Sequence, residues 1–185
     1  VKPGEFVNMD RVWVDGDRID IVFPMQVRIS RWFNNSAGVE RGPLAYGLKI
    51  GEEWRKLGGR EACPDWEIYP TTPWNYGLVI KESNPESSFA VQTGDMLYQP
   101  FDPEQAPIKL LARGKKILEW KLESHSAGTL QESPVSSEEP VEEIVLIPYG
   151  ATNLRIAEFP EIKSQEQKTW SRKLEGEKKF GRSGG

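Results

Sequence analysis

The sequence predicts an all-β fold, an antiparallel β-sandwich that is jelly-roll-like and has roughly nine to twelve strands. Two observations favour this class. Short segments alternate apolar and polar residues at period two, and turn residues interrupt the chain at regular intervals. A chain of 185 residues is long enough for one domain with a substantial core. We expect the sandwich over residues 1–160 and a charged tail over residues 161–185.

The central strand of the prediction lies within Arg41–Ile50, and Gly42-Pro43 marks its entry. Apolar and smaller or polar residues alternate along it, as in a half-buried strand. The predicted inner face consists of Leu44, Tyr46, Leu48 and Ile50.

An N-terminal hairpin is predicted before this strand. Residues 6–13 form its first strand, Asp15-Gly16 its turn, and residues 19–29 its return strand, in which every second residue is apolar. Asn34–Gly38 then forms a turn.

Later segments are assigned in the same way. Gly58-Gly59 breaks the chain after Trp54, and a loop carries Cys63. Strands follow near residues 108–112 and 117–122, and the apolar residues 144–147 predict a strand buried on both faces. Residues 123–143 are rich in Ser, Glu and Pro and predict a long exposed loop.

The composition argues against a nucleic-acid partner, a membrane partner and an internal disulfide. The 24 basic and 28 acidic residues leave a net charge of −4, which gives no basic surface for nucleic acid. We expect no membrane partner, because no apolar run is long enough to span a bilayer, and the sequence shows no leader. The single cysteine excludes an internal disulfide.

An aromatic corner supplies the main candidate contact residues. It spans Asp65–Leu78, where a short strand ends at a Thr-Thr-Pro corner and a second apolar segment begins. Such aromatics either pack in the core, with a polar atom free to hydrogen-bond, or form a platform that stacks on a sugar ring. The candidates for contact with a partner domain or a sugar are Trp66, Tyr69, Trp74, Asn75 and Tyr76.

Two arginines join this candidate set. Arg41 and Arg155 lie in otherwise apolar strand segments, where a guanidinium needs a carboxylate or several carbonyl groups as partners. One interpretation is an internal pairing with Glu40, Glu158 or the backbone. The other is docking onto a partner domain.

No catalytic residue and no metal ligand is predicted. Glycosidases generally use two carboxylates that flank the scissile bond, and the chain offers the pairs Asp65/Glu67 and Asp15/Asp17. Such pairs arise by chance among 28 acidic residues. Cys63 and His125 show no zinc-ligand spacing, and we interpret them as a loop thiol and a surface imidazole.

Several ordered motifs resemble the C-terminal part of glycoside hydrolase family 127, the β-L-arabinofuranosidase family. They cover most of residues 1–160 and are the segments Trp13 with Gly16-Asp17, Phe23–Arg28, Arg41–Ile50, Asp65–Leu78, Ile117–Trp120 and Leu146–Pro160.

The resemblance implies a non-catalytic role. Enzymes of this family look like an N-terminal (α/α)6 helical barrel followed by β-sandwich domains, and the barrel holds a zinc-bound cysteine nucleophile. No residue here matches those positions, so the resemblance implies no cofactor for this region and zinc only in the barrel of a parent chain. We expect an ancillary domain that braces that barrel, with Arg41, Trp74, Asn75 and Tyr76 as first contacts.

The sequence leaves two other partners open, a carbohydrate and a second copy of the chain. A carbohydrate-binding module for plant or bacterial polysaccharide is the alternative function, and a flat exposed aromatic strip would favour it. A homodimer of the isolated region, formed through the surface that the barrel would cover, is also open.

Overall fold

The computed structural model describes residues 4–81 and 83–163. These residues form an all-β fold of antiparallel strands, which confirms the predicted class. The two-layered, jelly-roll-like arrangement and the strand number stay predictions. The described strands are β1 (Val27–Arg31), β2 (Ala37–Arg41), β3 (Leu44–Leu48), β4 (Glu52–Arg60), β5 (Cys63–Pro70), β6 (Tyr76–Leu78), β7 (Ala90–Thr93), β8 (Ile108–Lys116), β9 (Leu122–Glu123), β10 (Ser126–Ala127), β11 (Glu142–Pro148) and β12 (Glu158–Phe159).

Eight strands form one curled sheet. Its order is β1-β2-β3-β11-β8-β6, β7 also pairs with β8, and β12 also pairs with β2. The four remaining strands form two separate hairpins, β4–β5 and β9–β10. Among the residues described, three short 3-10 helical turns lie at Phe33–Asn35, Pro85–Ser88 and Tyr149–Ala151. Within the described ranges, no helix is long and apolar enough to cross a membrane.

The predicted central strand is confirmed as β3. It pairs with β2 on one side and β11 on the other. Gly42 has a φ of 58° and forms the tight turn between β2 and β3, a conformation that glycine adopts without steric cost. Of the predicted inner residues, Tyr46, Leu48 and Ile50 are buried and Leu44 is half-buried.

A segment near the end of the described chain, Ile156–Ile162, closes the curl. The Leu48 amide donates to the Ile156 carbonyl at 2.8 Å, and Phe159 of β12 pairs with Ala37 of β2. Beyond Pro160 the same segment reaches β6, where Leu78 and Ile162 are joined by a 2.8 Å hydrogen bond. The segment therefore links β3 and β2 to β6, which lies at the other end of the sheet.

The core fills the interior of this curl. Its fully buried members include Tyr46, Leu110, Leu146 and Phe159. Ile147 is also fully buried, but it belongs to a second cluster with Ala106 and Ala151. Because alternate residues of β11 serve different clusters, this strand is buried on both faces, as its continuous apolar run predicts.

The predicted N-terminal hairpin is wrong except for its turn and the last three residues of its return strand, residues 27–29, which belong to β1. Asp17 donates its amide to the Val14 carbonyl at 3.1 Å, and Gly16 has a φ of 91°. The flanking residues form no strand before β1, and Phe6 is 98% exposed. An alternating sequence forms a strand only when another strand completes its hydrogen bonds, and none of the described residues does so here.

The predicted exposed loop over residues 123–143 is only partly right: most of these residues are exposed and no long strand of the described chain lies between β10 and β11, but two serines of the segment pack into the fold. Ser133 and Ser137 are buried, and Val135 forms a bridge with Ile162. The Ser137 hydroxyl donates to the Lys116 carbonyl at 2.6 Å. This segment packs through hydrogen-bonded small residues, which an argument from apolar content does not detect.

The predicted chain break at Gly58-Gly59 and the loop at Cys63 are wrong as well. β4 and β5 pair along their whole length, and Cys63 pairs with Arg60 next to the connecting turn. At the C-terminal end, Glu161 and Ile162 still belong to the fold through bridges to Leu78 and Val135. Residues 164–185, the rest of the predicted tail, lie outside the described residues.

Candidate functional site: a β-hairpin arm and the pocket at its base

The β4–β5 hairpin forms an exposed arm. Its strands have nine and eight residues, so the arm is roughly 25 Å long at about 3.3 Å per residue. Its main contacts are between its own two strands. A register shift between Lys56 and Gly58 places Leu57 in a bulge, where it is 63% exposed.

One face of the arm is apolar. In the pairing register, Trp54 lies opposite Ile68, and Lys56 lies opposite Trp66. The two indoles meet edge to face, with ring centroids 6.1 Å apart and planes at 78°. Trp54 is 49% exposed and Trp66 is 47% exposed. The arm thus presents aromatic surface that is about half exposed in the described structure.

The other face of the arm is charged. Arg55 donates to both carboxylate oxygens of Glu53, and this hydrogen bonding lowers the pKa of the Glu53 carboxyl. Arg55 also lies over the Tyr69 ring, 4.4 Å from its centroid. The Tyr69 hydroxyl donates to Glu67 at 2.5 Å, which raises the pKa of Tyr69. The arm is therefore an amphipathic ribbon.

A pocket of about 660 Å³ lies at the base of the arm. The arm contributes Glu67 to Pro70, the β9–β10 turn contributes His125, and the segment before β12 contributes Asn153 to Ile156. The rest of the lining consists of Ile50, Trp74, Leu122, Ser126 and Ala127. Tyr69, Trp74 and Arg155, three of the sequence-predicted candidates, thus come together in one site.

Trp74 is anchored in the fold. Its ring packs edge to face against Trp120, with centroids 5.2 Å apart and planes at 74°. It contacts two of the core clusters, and Trp120 is only 3% exposed. The pocket therefore has a fixed aromatic wall.

Arg155 is exposed and held in place at the pocket. Its Nε donates to the Thr152 carbonyl at 3.3 Å, and its guanidinium lies 5.1 Å from the centroid of the Tyr149 ring. No carboxylate of the described residues forms an ion pair with it. The backbone pairing predicted for this arginine is present.

Arg41 lies in a different place. It points to the inner side of β2, beside the buried hydroxyl of Tyr46. Burial raises the pKa of Tyr46, and the positive charge of Arg41 opposes that rise. The expected carboxylate partners bind serines instead: Glu40 accepts from Ser30 at 2.9 Å, and Glu158 accepts from Ser36 at 3.0 Å.

Asn75 and Tyr76 use their polar atoms within the fold. The Asn75 amide nitrogen donates to the carbonyls of Ile117 and Trp120, at 2.8 Å and 3.3 Å. The Tyr76 hydroxyl donates to Glu142 at 2.6 Å, and Lys116 donates to the same carboxylate at 2.8 Å. These contacts stabilise the junction of β6, β8 and β11.

Sequence reasoning missed Trp54 and Leu57 on the arm and underrated His125 at the pocket. The signal for the arm was present, because large apolar residues alternate with charges on both sides of Gly58-Gly59. Cys63 and His125 lie in different elements, the arm and the β9–β10 turn. Among residues 4–81 and 83–163, no three His, Cys, Asp or Glu side chains are grouped to hold a metal ion.

The fold and this site define an all-β, antiparallel protein with an amphipathic arm and a pocket at the arm's base. No protein-family model, curated protein or solved structure matches the chain.

Proposed function

We propose that this chain is a non-catalytic ancillary domain of a glycoside hydrolase resembling family 127, and that it braces an N-terminal helical catalytic barrel of the same parent chain. The observation that carries the proposal is the exposed apolar face of the β4–β5 arm. The sequence motifs that resemble the family supply the identity of the partner.

The physical argument begins with the stability of hairpins. An isolated two-stranded hairpin is marginally stable in water and needs a further strand or a helix on its apolar face. In the described chain the arm is a separate two-stranded sheet, and Trp54, Leu57 and Trp66 are exposed. Contiguous exposed apolar surface with a polar surround is typical of a protein contact.

A helical partner fits the shape of this face. On this face, a narrow apolar strip is bordered by Glu52 and Lys56 of β4 and consists of Trp54, Trp66, Ile68 and Pro70. A helix with an apolar stripe covers such a strip and leaves both charges in water. The barrel implied by the family resemblance would present helices of this kind.

The alternative is a carbohydrate-binding module. Stacking several sugar rings needs indoles that lie in one plane, whereas the Trp54 and Trp66 planes cross at 78°. The geometry of the arm therefore favours docking over a flat sugar platform.

Hydrogen exchange of the β4–β5 amides tests the proposal. The exchange is compared between the isolated chain and the uninterrupted parent protein. We expect slow exchange in the parent and fast exchange in the isolated chain, because the partner covers the arm. Equal exchange in both, or a parent without a helical region before residue 1, would contradict the proposal.

Substitutions in the parent locate the contact. Trp54→Ala with Trp66→Ala should restore fast exchange to the arm, while Trp32→Ala, which removes another exposed tryptophan, should not. Calorimetric titration of the chain with arabinose-, galactose- and xylose-containing oligosaccharides tests the alternative. Saturable heat that is lost in the arm variant would favour the binding module.

A further inference from the structure

The pocket at the base of the arm has the dimensions and chemistry of a small-molecule site. Its volume of about 660 Å³ lies inside the range of roughly 300–1,000 Å³ that is usual for ligand pockets. It combines apolar walls with a few polar groups, which is the usual composition of such sites. It shares Ile68 with the apolar face of the arm, but neither Trp54 nor Trp66 lines it, so the docking role of the tryptophans does not explain it.

The apolar walls are rigid. Ile50 is 5% exposed, and Trp74 is fixed by its contact with Trp120. Leu154 and Ile156 pack against the main core cluster. A ligand with a ring-shaped body would lie against these walls without requiring the core to move.

The guanidinium of Arg155 is held in place at the pocket, where it can bind an anion. Arg155 is oriented by the Thr152 carbonyl and the Tyr149 ring, and Thr152 is itself buried and donates to the Tyr149 carbonyl at 2.8 Å. This uses Nε and leaves the two terminal nitrogens without an ion pair among residues 4–81 and 83–163. A guanidinium that is already oriented can bind a carboxylate in a bidentate geometry, and it loses less side-chain conformational entropy on binding.

The arm contributes an acceptor to the same pocket. Glu67 accepts the Tyr69 hydroxyl through Oε2, and its other oxygen has no hydrogen-bond partner in the described structure. A carboxylate in this position accepts hydrogen bonds from hydroxyl groups of a ligand. The pocket therefore offers one group for a negative charge and another for hydroxyl groups.

We propose that this pocket binds a sugar acid, such as a hexuronic acid residue, with its carboxylate on Arg155, its hydroxyl groups toward Glu67 and its ring against Trp74. Neutral sugars lack the charge that Arg155 recognises. Aryl carboxylates lack the hydroxyl groups that Glu67 recognises. The combination of both groups around an apolar wall selects the sugar acid.

Nuclear magnetic resonance titration of the full 185-residue chain tests the proposal with D-galacturonate and D-glucuronate. We expect saturable shifts of the Trp74 indole and His125 signals, with a Kd on the order of 1 mM for a single sugar unit. D-galactose, D-glucose and benzoate serve as comparison ligands and should bind at least about tenfold more weakly.

Arg155→Gln should weaken uronate binding about tenfold or more, and Arg113→Gln, an exposed arginine of β8, should leave it unchanged. The proposal is overturned if neither uronate binds, if galactose or benzoate binds equally well, or if Arg155→Gln has no effect. A Trp32 indole that shifts as much as that of Trp74 would likewise overturn it, since Trp32 lies outside the pocket.

Discussion

The Tyr76 hydroxyl donates a 2.6 Å hydrogen bond to Glu142, which joins the short strand β6 to β11 across β8. Lys116 of β8 binds the other oxygen of the same carboxylate at 2.8 Å. Three neighbouring strands thus meet at one acidic group. Burial and the bond to Glu142 raise the pKa of Tyr76, so this hydroxyl stays protonated as the donor.

The Glu142 carboxyl makes the free energy of unfolding depend on pH in the acid range. The bonds from Lys116 and Tyr76 lower the pKa of Glu142 below its ordinary value of 4.5. A lowered pKa in the folded state contributes stability above the unfolded pKa, and that contribution is lost as the pH falls through the folded pKa. The free energy of unfolding should therefore fall below about pH 4.5.

Urea unfolding at pH 7, 5 and 3 checks this expectation. Glu142→Gln should lower stability at pH 7 and flatten its decline in acid, since the amide carries no charge. Glu143→Gln, at the exposed neighbouring position of β11, is the matched control and should keep the decline of the unmodified protein. An identical acid profile for Glu142→Gln would show that this carboxylate is not responsible.

The closing segment gives a steric prediction. A Cβ added at Gly77 would lie 2.6 Å from Ile162 Cδ1 and 3.0 Å from the Pro160 carbonyl oxygen. That oxygen accepts from the Leu78 amide, so it cannot move aside without displacing the closing segment from β6. Gly77→Ala should destabilise the protein by about 1–3 kcal/mol. Gly58→Ala in the arm is the control, because a Cβ there meets nothing within 4 Å. Chemical denaturation of both variants would settle the comparison, and equal stabilities would argue against the close approach.

The segment containing Ser137 gives a hydrogen-bond prediction. Ser137→Ala removes the donor to the Lys116 carbonyl and should cost about 1–2 kcal/mol of unfolding free energy. Ser136→Ala changes an exposed neighbour and should be neutral. Both values follow from urea unfolding at pH 7. If the two variants had equal stability, residues 123–143 would behave as the exposed loop that their composition predicts.

The arm tryptophans should matter little for the stability of the isolated chain. Trp54→Ala lies outside the core, so we expect its effect on global unfolding to stay below about 0.5 kcal/mol. Trp120→Ala removes a buried indole and should cost about 3–5 kcal/mol. Thermal and urea unfolding compare the two. A large loss in Trp54→Ala would mean that the arm packs against the body of the domain.

The sequence predicts those parts of the fold in which local pattern and tertiary environment agree. In β3 the predicted inner residues Tyr46 and Leu48 are buried, and the turn at Gly42 requires the positive φ that glycine provides. β11 has an apolar run because core clusters lie on both of its sides. In each case the strand's neighbours are within the same sheet, so the pattern and the structure coincide.

The remaining parts depend on partners that a single sequence does not reveal. Residues 19–26 alternate like a strand, yet no described strand pairs with them. β4 and β5 lack a buried face, so their residues read as a broken segment rather than a hairpin. For the candidate site, the aromatic and arginine types were predicted, but only the fold shows that Arg155 and Trp74 share a pocket and that Arg41 does not.

The position of the closing segment, residues 156–162, also affects how the domain folds during its synthesis. Phe159 pairs with Ala37, and Ile162 bonds to Leu78, so the contacts that close the sheet join residues separated by roughly half the chain or more. Because the N-terminal part of a chain leaves the ribosome first, β2, β3 and β6 emerge before the closing segment does. The sheet remains open during that interval, and contacts of such long sequence separation form slowly. Synthesis of this domain therefore includes a period in which a short complementary peptide could compete with residues 156–162 for the same strand edges.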